Sequence, residues 1–377
     1  MPGRVPVLAA WTTLIYMPEV TIRLLIICTS RIGDVFLGSS VIESLRKRDP
    51  KLLIDFLVFK GTEAVIERNP HVNQIIQIDR KISFLTHLKM LFRVRRKYDV
   101  AVSLLSGDRP TLYSLIAGKL SFGIVGEELK YFWKRWLLSG YITPSKSPIH
   151  TIIQNHKILE QYLETELCPP KFYWDKKDED SIDKIIDADD SYRGYAVFHL
   201  TPKYTYKEWP LSSWMRLANN LRERGLKVIL VGLPEVIHAV SKPYTSDNWP
   251  TDTLDLLGKI SLSEVGYLIS RATIYVGTDT AVTHMAAAIG TPAVALFGPS
   301  SPIIWGPWPK NYRSNRNPWS LKGTQVVGNV GLVQNSFRGC VPCMEEGCER
   351  HLRSRSDCLS YLSTEEVLSL IDGQLRL

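Results

Sequence analysis

The sequence predicts an α/β protein with two doubly wound domains. A chain of 377 residues is longer than one ordinary core supports, since single cores stop growing at about 250 to 300 residues. Two separate series of alternating strand and helix patterns occur, and a strongly acidic stretch separates them. A hydrophobic content of 45% with 22% charged residues excludes collagen-like and disordered classes.

The first series begins with the apolar run Arg23–Thr29 (RLLIICT), which predicts a strand. A polar loop follows, and apolar periodicity over Val35–Arg48 then predicts a helix. The next elements are a strand at Leu52–Phe59, a helix at Gly61–Arg68, a strand at Gln74–Ile78, a basic helix, and a strand at Asp99–Leu105. Strands alternating with helices at this spacing indicate a parallel sheet covered on both faces. We therefore predict an N-terminal Rossmann-like domain over residues 1–180.

Aspartate, lysine and glutamate dominate the stretch Asp175–Asp190, which predicts a linker with a short helix at Ser181–Ile186. The second series then starts with a strand at Tyr195–Leu200. It continues with a helix at Leu211–Arg224, strands at Lys227–Val231 and Thr273–Val276, a helix at Ala281–Ile289 capped by Gly290, and a strand at Ala293–Phe297. These elements predict a second Rossmann-like domain over 190–365, with a C-terminal helix near 363–373. Two such facing domains would leave a cleft at the carboxyl ends of their strands, where these sheets bind ligands.

The net charge of +8 favours an anionic partner, which could be nucleic acid, phosphorylated lipid or a nucleotide. Basic residues alternate with aromatic ones at His87–Lys97 and at Lys130–Arg135, and solvated helix faces are the ordinary explanation of such runs. No apolar run has the 18 or so residues of a spanning helix, and residues 1–20 have the pattern of an extension, not of a signal peptide. We expect a cytoplasmic protein, in contact at most with the inner face of the membrane.

The segment Val276–Pro309 has the strongest chemical pattern. Asp279 and Thr280 lie between a strand end and a helix start, where the N–H groups of Thr280, Ala281 and Val282 would be free to bind a diphosphate. Asp279 itself would repel a diphosphate, so it is either a helix cap or an acceptor for sugar hydroxyls. His284 lies one helical turn beyond Thr280, where it could contact the same ligand or only support the loop.

Three motifs in order carry a family resemblance. The string DTAVTHMAAAIGTPAVALFGPSSP, Arg31–Asp34 (RIGD) near the start and Lys207–Pro210 (KEWP) in the middle resemble the ADP-heptose:lipopolysaccharide heptosyltransferase family, over nearly the whole chain. The resemblance implies the two-domain GT-B fold and transfer of heptose with inversion. It also implies an ADP-heptose donor, a lipopolysaccharide inner-core acceptor and no catalytic metal or other required cofactor.

Carried over by position, the resemblance makes Asp34 the catalytic base, with Arg31 and Gly33 on the acceptor side. A single displacement needs one carboxylate to accept the proton of the attacking hydroxyl, which agrees with this role. Lys207 then neutralises the departing diphosphate without a metal ion. The donor-binding residues that the resemblance implies are Thr201, Lys207, Glu235, Asp279, Thr280, Ala281 and His284.

Alternatives remain for these assignments. Asp34 could only cap the helix that begins at Val35, and Lys207 could be a solvated loop residue. Ala281 replaces a glycine frequent in the family, and the loop Leu200–Lys207 carries two tyrosines where small residues are usual. Another nucleotide sugar, or a nucleotide-sugar epimerase of similar architecture, therefore stays open. A nucleic-acid-binding protein is remote, because no recognition motif for nucleic acid is present.

Four of the six cysteines form the pattern C-x2-C-x4-C-x9-C at Cys340, Cys343, Cys348 and Cys358. Four thiolates at such spacing can hold a structural zinc ion; free thiols and disulfides are the alternatives.

The basic runs predict where the acceptor binds. If Asp34 activates the acceptor hydroxyl, an anionic glycolipid would lie against the N-terminal domain. Its phosphates would then meet Arg93, Arg95, Arg96, Lys97, Lys130, Lys134 and Arg135, with Tyr131, Phe132, Trp133 and Trp136 at the membrane interface.

Overall fold

The computed structural model describes residues 21–186, 193–233, 249–335 and 339–375, which form two compact units. The first unit extends to Lys171 and includes Arg313–Arg316; the second contains Phe172–Tyr312 and Asn317 onwards. The division lies earlier than the predicted boundary near residue 180. The reason is that helix α7 (Lys176–Ile186) belongs to the second unit, where Ile182 is fully buried among Val265, Leu268 and Ile269.

The first unit is a six-stranded parallel sheet in the order β3-β2-β1-β4-β5-β6. Its strands are β1 (Arg23–Cys28), β2 (Leu53–Phe59), β3 (Gln74–Ile78), β4 (Tyr98–Ser103), β5 (Gly118–Ile124) and β6 (Gly140–Ile142). Its helices are α1 (Ile32–Gly38), α2 (Ser40–Arg48), α3 (Phe84–Val94), α4 (Asp108–Ala117), α5 (Phe132–Leu137) and α6 (Thr151–Leu163). Five of the six residues of β1 are buried, as expected for a central parallel strand covered on both faces.

The second unit is a seven-stranded sheet in the order β12-β13-β11-β10-β7-β8-β9, parallel except for the pair β12 and β13. Its strands are β7 (Tyr195–His199), β8 (Lys227–Val231), β9 (Leu254–Asp255), β10 (Ile274–Thr278), β11 (Ala293–Phe297), β12 (Gln325–Val327) and β13 (Val330–Gln334). The helices are α7, α8 (Leu211–Glu223), α9 (Leu262–Arg271), α10 (Ala281–Ile289), α11 (Pro302–Trp305), α12 (Asp357–Ser360) and α13 (Thr364–Leu375). Gly290 ends α10 with a left-handed φ of 99°, as the sequence predicts.

Two of the predicted helices are wrong in detail. The stretch Val35–Arg48 forms two helices, which begin at Ile32 and at Ser40. At the break, the Ser39 and Ser40 hydroxyls donate to the carbonyls of Phe36 and Leu37, in competition with the helical backbone bonds. Only a single 3₁₀ turn, Glu63–Val65, forms within Gly61–Arg68, because Gly61 is left-handed and Val65 alone within that turn is buried.

No helix among the described residues is long and apolar enough to cross a membrane.

Candidate active site

Both sheets have a topological switch point, and the polar loops predicted as functional lie there. In the first sheet β2 and β4 flank β1; in the second, β8 and β10 flank β7. From β1 and β4 in the first sheet, and from β7 and β10 in the second, the chain continues in opposite directions across the sheet. The loops after these adjacent strands therefore diverge and leave room for a ligand. The loop after β1 carries Asp34, and the loops after β7 and β10 carry Lys207 and Asp279.

Asp34 is half-buried at the third residue of α1, directly after the loop that follows β1. Its carboxylate accepts a hydrogen bond of 2.6 Å from the Ser30 hydroxyl and one of 3.4 Å from the Arg31 backbone N–H. Arg31 is the N-cap, so the carboxylate does cap α1, although that helix begins earlier than Val35. These bonds hold one carboxylate oxygen, Oδ2, and fix the direction of the side chain.

Arginines that the sequence analysis missed lie beside this loop. Arg80 and Arg109 stand over the ring of Phe59, with guanidinium carbons 5.0 and 5.6 Å from its centroid. Arg80 approaches the Ser30 carbonyl to 3.5 Å, and Arg109 donates to the Arg80 carbonyl at 3.0 Å. Arg80 follows the edge strand β3 and Arg109 follows β4, so the carboxyl edge of the sheet brings positive charge close to the loop of Asp34. A basic residue after each of two strand ends was the available signal.

Arg31 is exposed and Gly33 is half-buried. Both lie on the same loop and first turn as Asp34.

In the second unit, Lys207 and Asp279 form an ion pair across the switch point. Lys207 Nζ lies 2.5 Å from Asp279 Oδ2 and 3.4 Å from the Asp279 carbonyl oxygen. The side chains are 18% and 7% exposed, so both charges are largely removed from water. Both residues were predicted to be site residues, but no contact between them was predicted. Asp279 is not an isolated acid beside a diphosphate, because the lysine already balances its charge.

The surroundings of Asp279 keep it ionised. Burial alone would raise the pKa of its carboxyl, but the charges of Lys207 and His284 and hydrogen bonds from Lys207 and Ser300 lower it overall. Ser300 belongs to the loop after β11, which Gln334 holds by donating to the Gly298 and Ser300 carbonyls at 2.9 and 3.0 Å. Three loops, after β7, β10 and β11, therefore meet at this carboxylate.

Thr280 is the N-cap of α10, and its hydroxyl lies 3.3 Å from His199 Nδ1. Burial lowers the pKa of His199 to about 4, so this imidazole is neutral at pH 7. His199 is the last residue of β7, and the sequence analysis missed it, although a histidine that ends an apolar strand was a usable signal. The helix start adds the N–H groups of Ala281 and Val282, which lack acceptors within the helix because they belong to its first turn.

His284 is buried one turn into α10, close enough for its charge to lower the pKa of Asp279. The structure thus brings Lys207 and His284 to Asp279, beside Thr280 at the start of α10. Spacing predicted only that His284 lies one turn beyond Thr280.

Hydrogen bonds to the C-terminal part of the chain hold the loop that carries Lys207 in place. The buried Trp209 donates from Nε1 to the Leu362 carbonyl at 2.9 Å. The Ser356 hydroxyl donates to the Tyr206 carbonyl at 2.7 Å. Tyr206 is buried and stacks on Tyr204, with centroids 5.3 Å apart, so the unusual tyrosines help to hold the loop.

Thr201 is buried after β7, and its hydroxyl accepts a 3.0 Å hydrogen bond from the Leu233 N–H. It therefore links the loops after β7 and β8. Glu235, one of the predicted donor-binding residues, lies outside the described residues.

The cysteine pattern does not form a ready metal centre. Within the described residues, which include all four cysteines of the pattern, no group of three or more histidine, cysteine or acidic side chains is arranged to hold a metal ion. Cys340 and Cys348 are exposed, whereas Cys358 is buried. Burial raises the pKa of Cys358 to about 12, and the nearby Cys343 and Cys348 add to this effect. The zinc assignment stays a prediction.

The basic run at Lys130–Arg135 differs from the predicted solvated surface. Lys134 is fully buried, and its ammonium lies 2.7 Å from Asp108 Oδ1 and 2.5 Å from the Ser106 carbonyl oxygen. Lys130 pairs with Glu128, and Arg135 donates to the carbonyls of Glu127 and Glu128. Each of these three cations therefore has partners within the unit. The partners of Lys134 follow β4, and those of Lys130 and Arg135 follow β5.

Comparison with known proteins agrees with this architecture. The sequence matches the family model of glycosyltransferase family 9 (heptosyltransferase) over residues 123–328. Lipopolysaccharide heptosyltransferase 3 of Escherichia coli is 26% identical over 299 residues, which cover 74% of this chain and 84% of that protein.

Solved structures extend the likeness to most of the fold. The E. coli ADP-heptose LPS heptosyltransferase II superposes with a TM-score of 0.71 and 20% identity, covering 94% of this chain and 99% of the other. The E. coli heptosyltransferase WaaC with ADP gives 0.65 and 17%, covering 94% and 100%.

The sheet topology and the likeness to the solved heptosyltransferase confirm the predicted GT-B fold. The family model and the E. coli relative confirm the predicted enzyme class, a glycosyltransferase. Because the family model spans more than half of the chain, the protein belongs to glycosyltransferase family 9, the heptosyltransferase family.

Proposed function

We propose that this enzyme transfers heptose from ADP-heptose to the inner core of a lipopolysaccharide-type glycolipid, with inversion and without a catalytic metal ion. The single observation that carries the proposal is the buried Lys207–Asp279 pair beside the start of α10. One ammonium and the N–H groups of a helix start are together suited to a diphosphate. The likeness to an E. coli transferase solved with ADP supports ADP as the nucleotide.

In the proposed reaction, the Asp34 carboxylate accepts the proton of the acceptor hydroxyl as its oxygen bonds to the anomeric carbon of heptose. The bond from that carbon to the diphosphate breaks, and ADP leaves with the bonding electrons. Attack from the side opposite the leaving group inverts the anomeric configuration. Ser30 orients the base, since its hydroxyl binds one carboxylate oxygen at 2.6 Å.

Lys207 provides the positive charge that a metal ion would otherwise supply at the leaving diphosphate. Asp279 holds the ammonium in place before the donor arrives, and its remaining acceptor capacity suits sugar hydroxyls. The first turn of α10 adds N–H donors whose direction is fixed by the helix. His284 and Thr280 complete the polar lining on this side.

The proposal of an anionic acceptor is based on the positive charge near Asp34. Arg80 and Arg109 lie beside the loop of Asp34, and phosphates of an anionic inner core suit guanidinium groups. These arginines support a phosphorylated glycolipid over a neutral sugar.

The test combines ligand choice, metal dependence and product stereochemistry. Thermal shifts with ADP, UDP, GDP and CMP should be largest with ADP; a larger shift with UDP would favour a different nucleotide sugar. Transfer should continue in EDTA, and NMR of the product should show an inverted anomeric centre. Loss of activity in EDTA with rescue by Mg²⁺, or retention of configuration, would contradict the mechanism while leaving the nucleotide preference intact.

A further inference from the structure

Helix α3 of the first unit has apolar side chains on its sheet-facing side and also on an adjoining outer arc. Its inner side packs on the sheet through Met90, Leu91 and Val94, in a cluster with Leu25 and Ile78. Four large apolar side chains lie on the outer side: Phe84, Leu85, Leu88 and Phe92, with exposures of 78%, 69%, 38% and 62%. Contiguous patches of exposed large apolar side chains mark interaction sites. Packing within the unit does not account for the outer stripe.

The stripe is continuous on the helix surface. With 3.6 residues per turn, its four residues fall within an arc of about 100°. Lys89 and Arg93 occupy the adjacent arc, on the side away from the sheet-facing residues, and both are exposed. The exposed Arg95 and Lys97 follow at the end of the helix. No aspartate or glutamate occurs between Arg80 and Lys97, so nothing within this stretch of sequence neutralises the charge.

Apolar side chains bordered by cations, on a helix lying flat on a domain, match an anionic lipid surface. The apolar stripe can enter the acyl boundary while the basic side chains meet headgroup phosphates. A protein partner would gain from the apolar stripe, but a run of cations with no acid in the same stretch of sequence favours a surface of uniform negative charge.

A second exposed apolar group lies on the same face of the sheet. The crossovers β3 to β4 and β5 to β6 run in the same direction across the sheet, so right-handed connections place α3 and α5 on one face. The turn before α5 and the helix itself expose four large apolar side chains: Leu129, Phe132, Trp136 and Leu137.

We propose that the outer stripe of α3, defined as Phe84, Leu85, Leu88 and Phe92 with the flanking Lys89 and Arg93, docks the enzyme flat on an anionic membrane surface. The run at Lys130–Arg135 supplies less charge, because Lys134 is buried against Asp108 and Lys130 pairs with Glu128. Docking through α3 concentrates the enzyme where a lipid-linked acceptor would be found. Vesicle binding involves neither donor nor transfer, so its outcome is independent of the proposed reaction.

The experiment is flotation of the full chain with vesicles of phosphatidylglycerol and phosphatidylcholine, compared with phosphatidylcholine alone. The triple variant Phe84→Ser, Leu85→Ser, Phe92→Ser should lower the partition coefficient on anionic vesicles by about 100-fold, because three exposed apolar side chains lose their place in the lipid. The double variant Lys89→Gln, Arg93→Gln should lower it by about 30-fold, and high salt should do the same.

A matched control replaces three exposed apolar residues of the second unit, Leu321→Ser, Val326→Ser and Leu352→Ser, and should bind as the wild type does. Thermal melting checks that each variant is folded; all the replaced side chains are exposed. Absent binding of the wild type to anionic vesicles, or equal binding by the α3 variants, would overturn the proposal. If the triple variant instead converts a dimer to a monomer in light scattering, the stripe covers a second copy and the membrane assignment is wrong.

Discussion

Replacing Lys207 with alanine separates its effect on stability from its effect on donor binding. Asp279 has a side chain only 7% exposed and pairs with Lys207 at 2.5 Å. Removing one partner of a buried pair leaves the other charge unpaired and costs about 3 to 5 kcal/mol. Since Lys207 is 18% exposed and Ser300 and His284 still act on Asp279, we expect the lower part of that range, about 3 kcal/mol.

The expected loss corresponds to a fall in melting temperature of roughly 6 to 12 °C for a unit of this size. Its pH dependence has a definite sign. In the wild type, the surroundings lower the pKa of Asp279, so the pair contributes stability above the usual carboxyl pKa that is lost as pH falls through the lowered value. Without Lys207, burial dominates and raises this pKa, so the variant's deficit should shrink as Asp279 takes up a proton in mildly acidic solution.

The assay is thermal melting between pH 5 and 8, with ADP affinity measured by calorimetry. The double variant Lys207→Ala, Asp279→Asn is the control, because it removes both charges. It should recover most of the stability but not the ADP affinity, since the cation is still missing. A single variant that melts like the wild type would refute the buried-pair argument. Recovery of ADP affinity in the double variant would refute the role of Lys207 at the diphosphate.

Three further predictions concern other groups. Asp34→Asn should reduce turnover by about 100-fold or more with ADP affinity unchanged, as for a lost general base; near-normal turnover would leave Asp34 with its capping role alone. Burial raises the pKa of Glu208 from the ordinary value of 4.5 to about 7, and the charge of Arg355 opposes this in part. The wild type should therefore lose stability as the pH rises from 4.5 through about 7. Glu208→Gln should remove this loss, so that the variant melts higher than the wild type at pH 8 but not at pH 5; identical pH profiles would contradict the assignment. If the four C-terminal cysteines hold zinc, purified protein should contain about one equivalent and chelation should lower the melting temperature, whereas background metal with titratable thiols would exclude it.

The sequence determined the architecture because parallel strands buried on both faces leave an unmistakable apolar pattern. β1 and β7 were placed to within one residue of their observed ends, since each is a short apolar run followed by a polar loop. The edge strands β6 and β9 were not predicted, because three and two residues carry too little apolar pattern. The interior strands β5 and β13 were not predicted either, and glycines interrupt the apolar pattern of both. Only one 3₁₀ turn formed where a helix was expected at Gly61–Arg68, because Gly61 is left-handed and Val65 is the one buried residue of that turn.

The motifs also placed Asp34, Lys207 and Asp279 at strand ends, because a loop after a parallel strand is identified by its position in the chain. Only the tertiary structure decided which of these groups touch. The Lys207–Asp279 pair joins residues 72 positions apart, and His199 meets Thr280 across 81 positions. Such contacts depend on the order of the strands in the sheet, and the local periodicity of the sequence does not encode that order. The fold likewise decided which side chains are buried. Lys134 is buried and Phe84 is exposed, although residue type alone would favour the reverse. The reason is that the environment of a side chain depends on how the helices pack over the sheet.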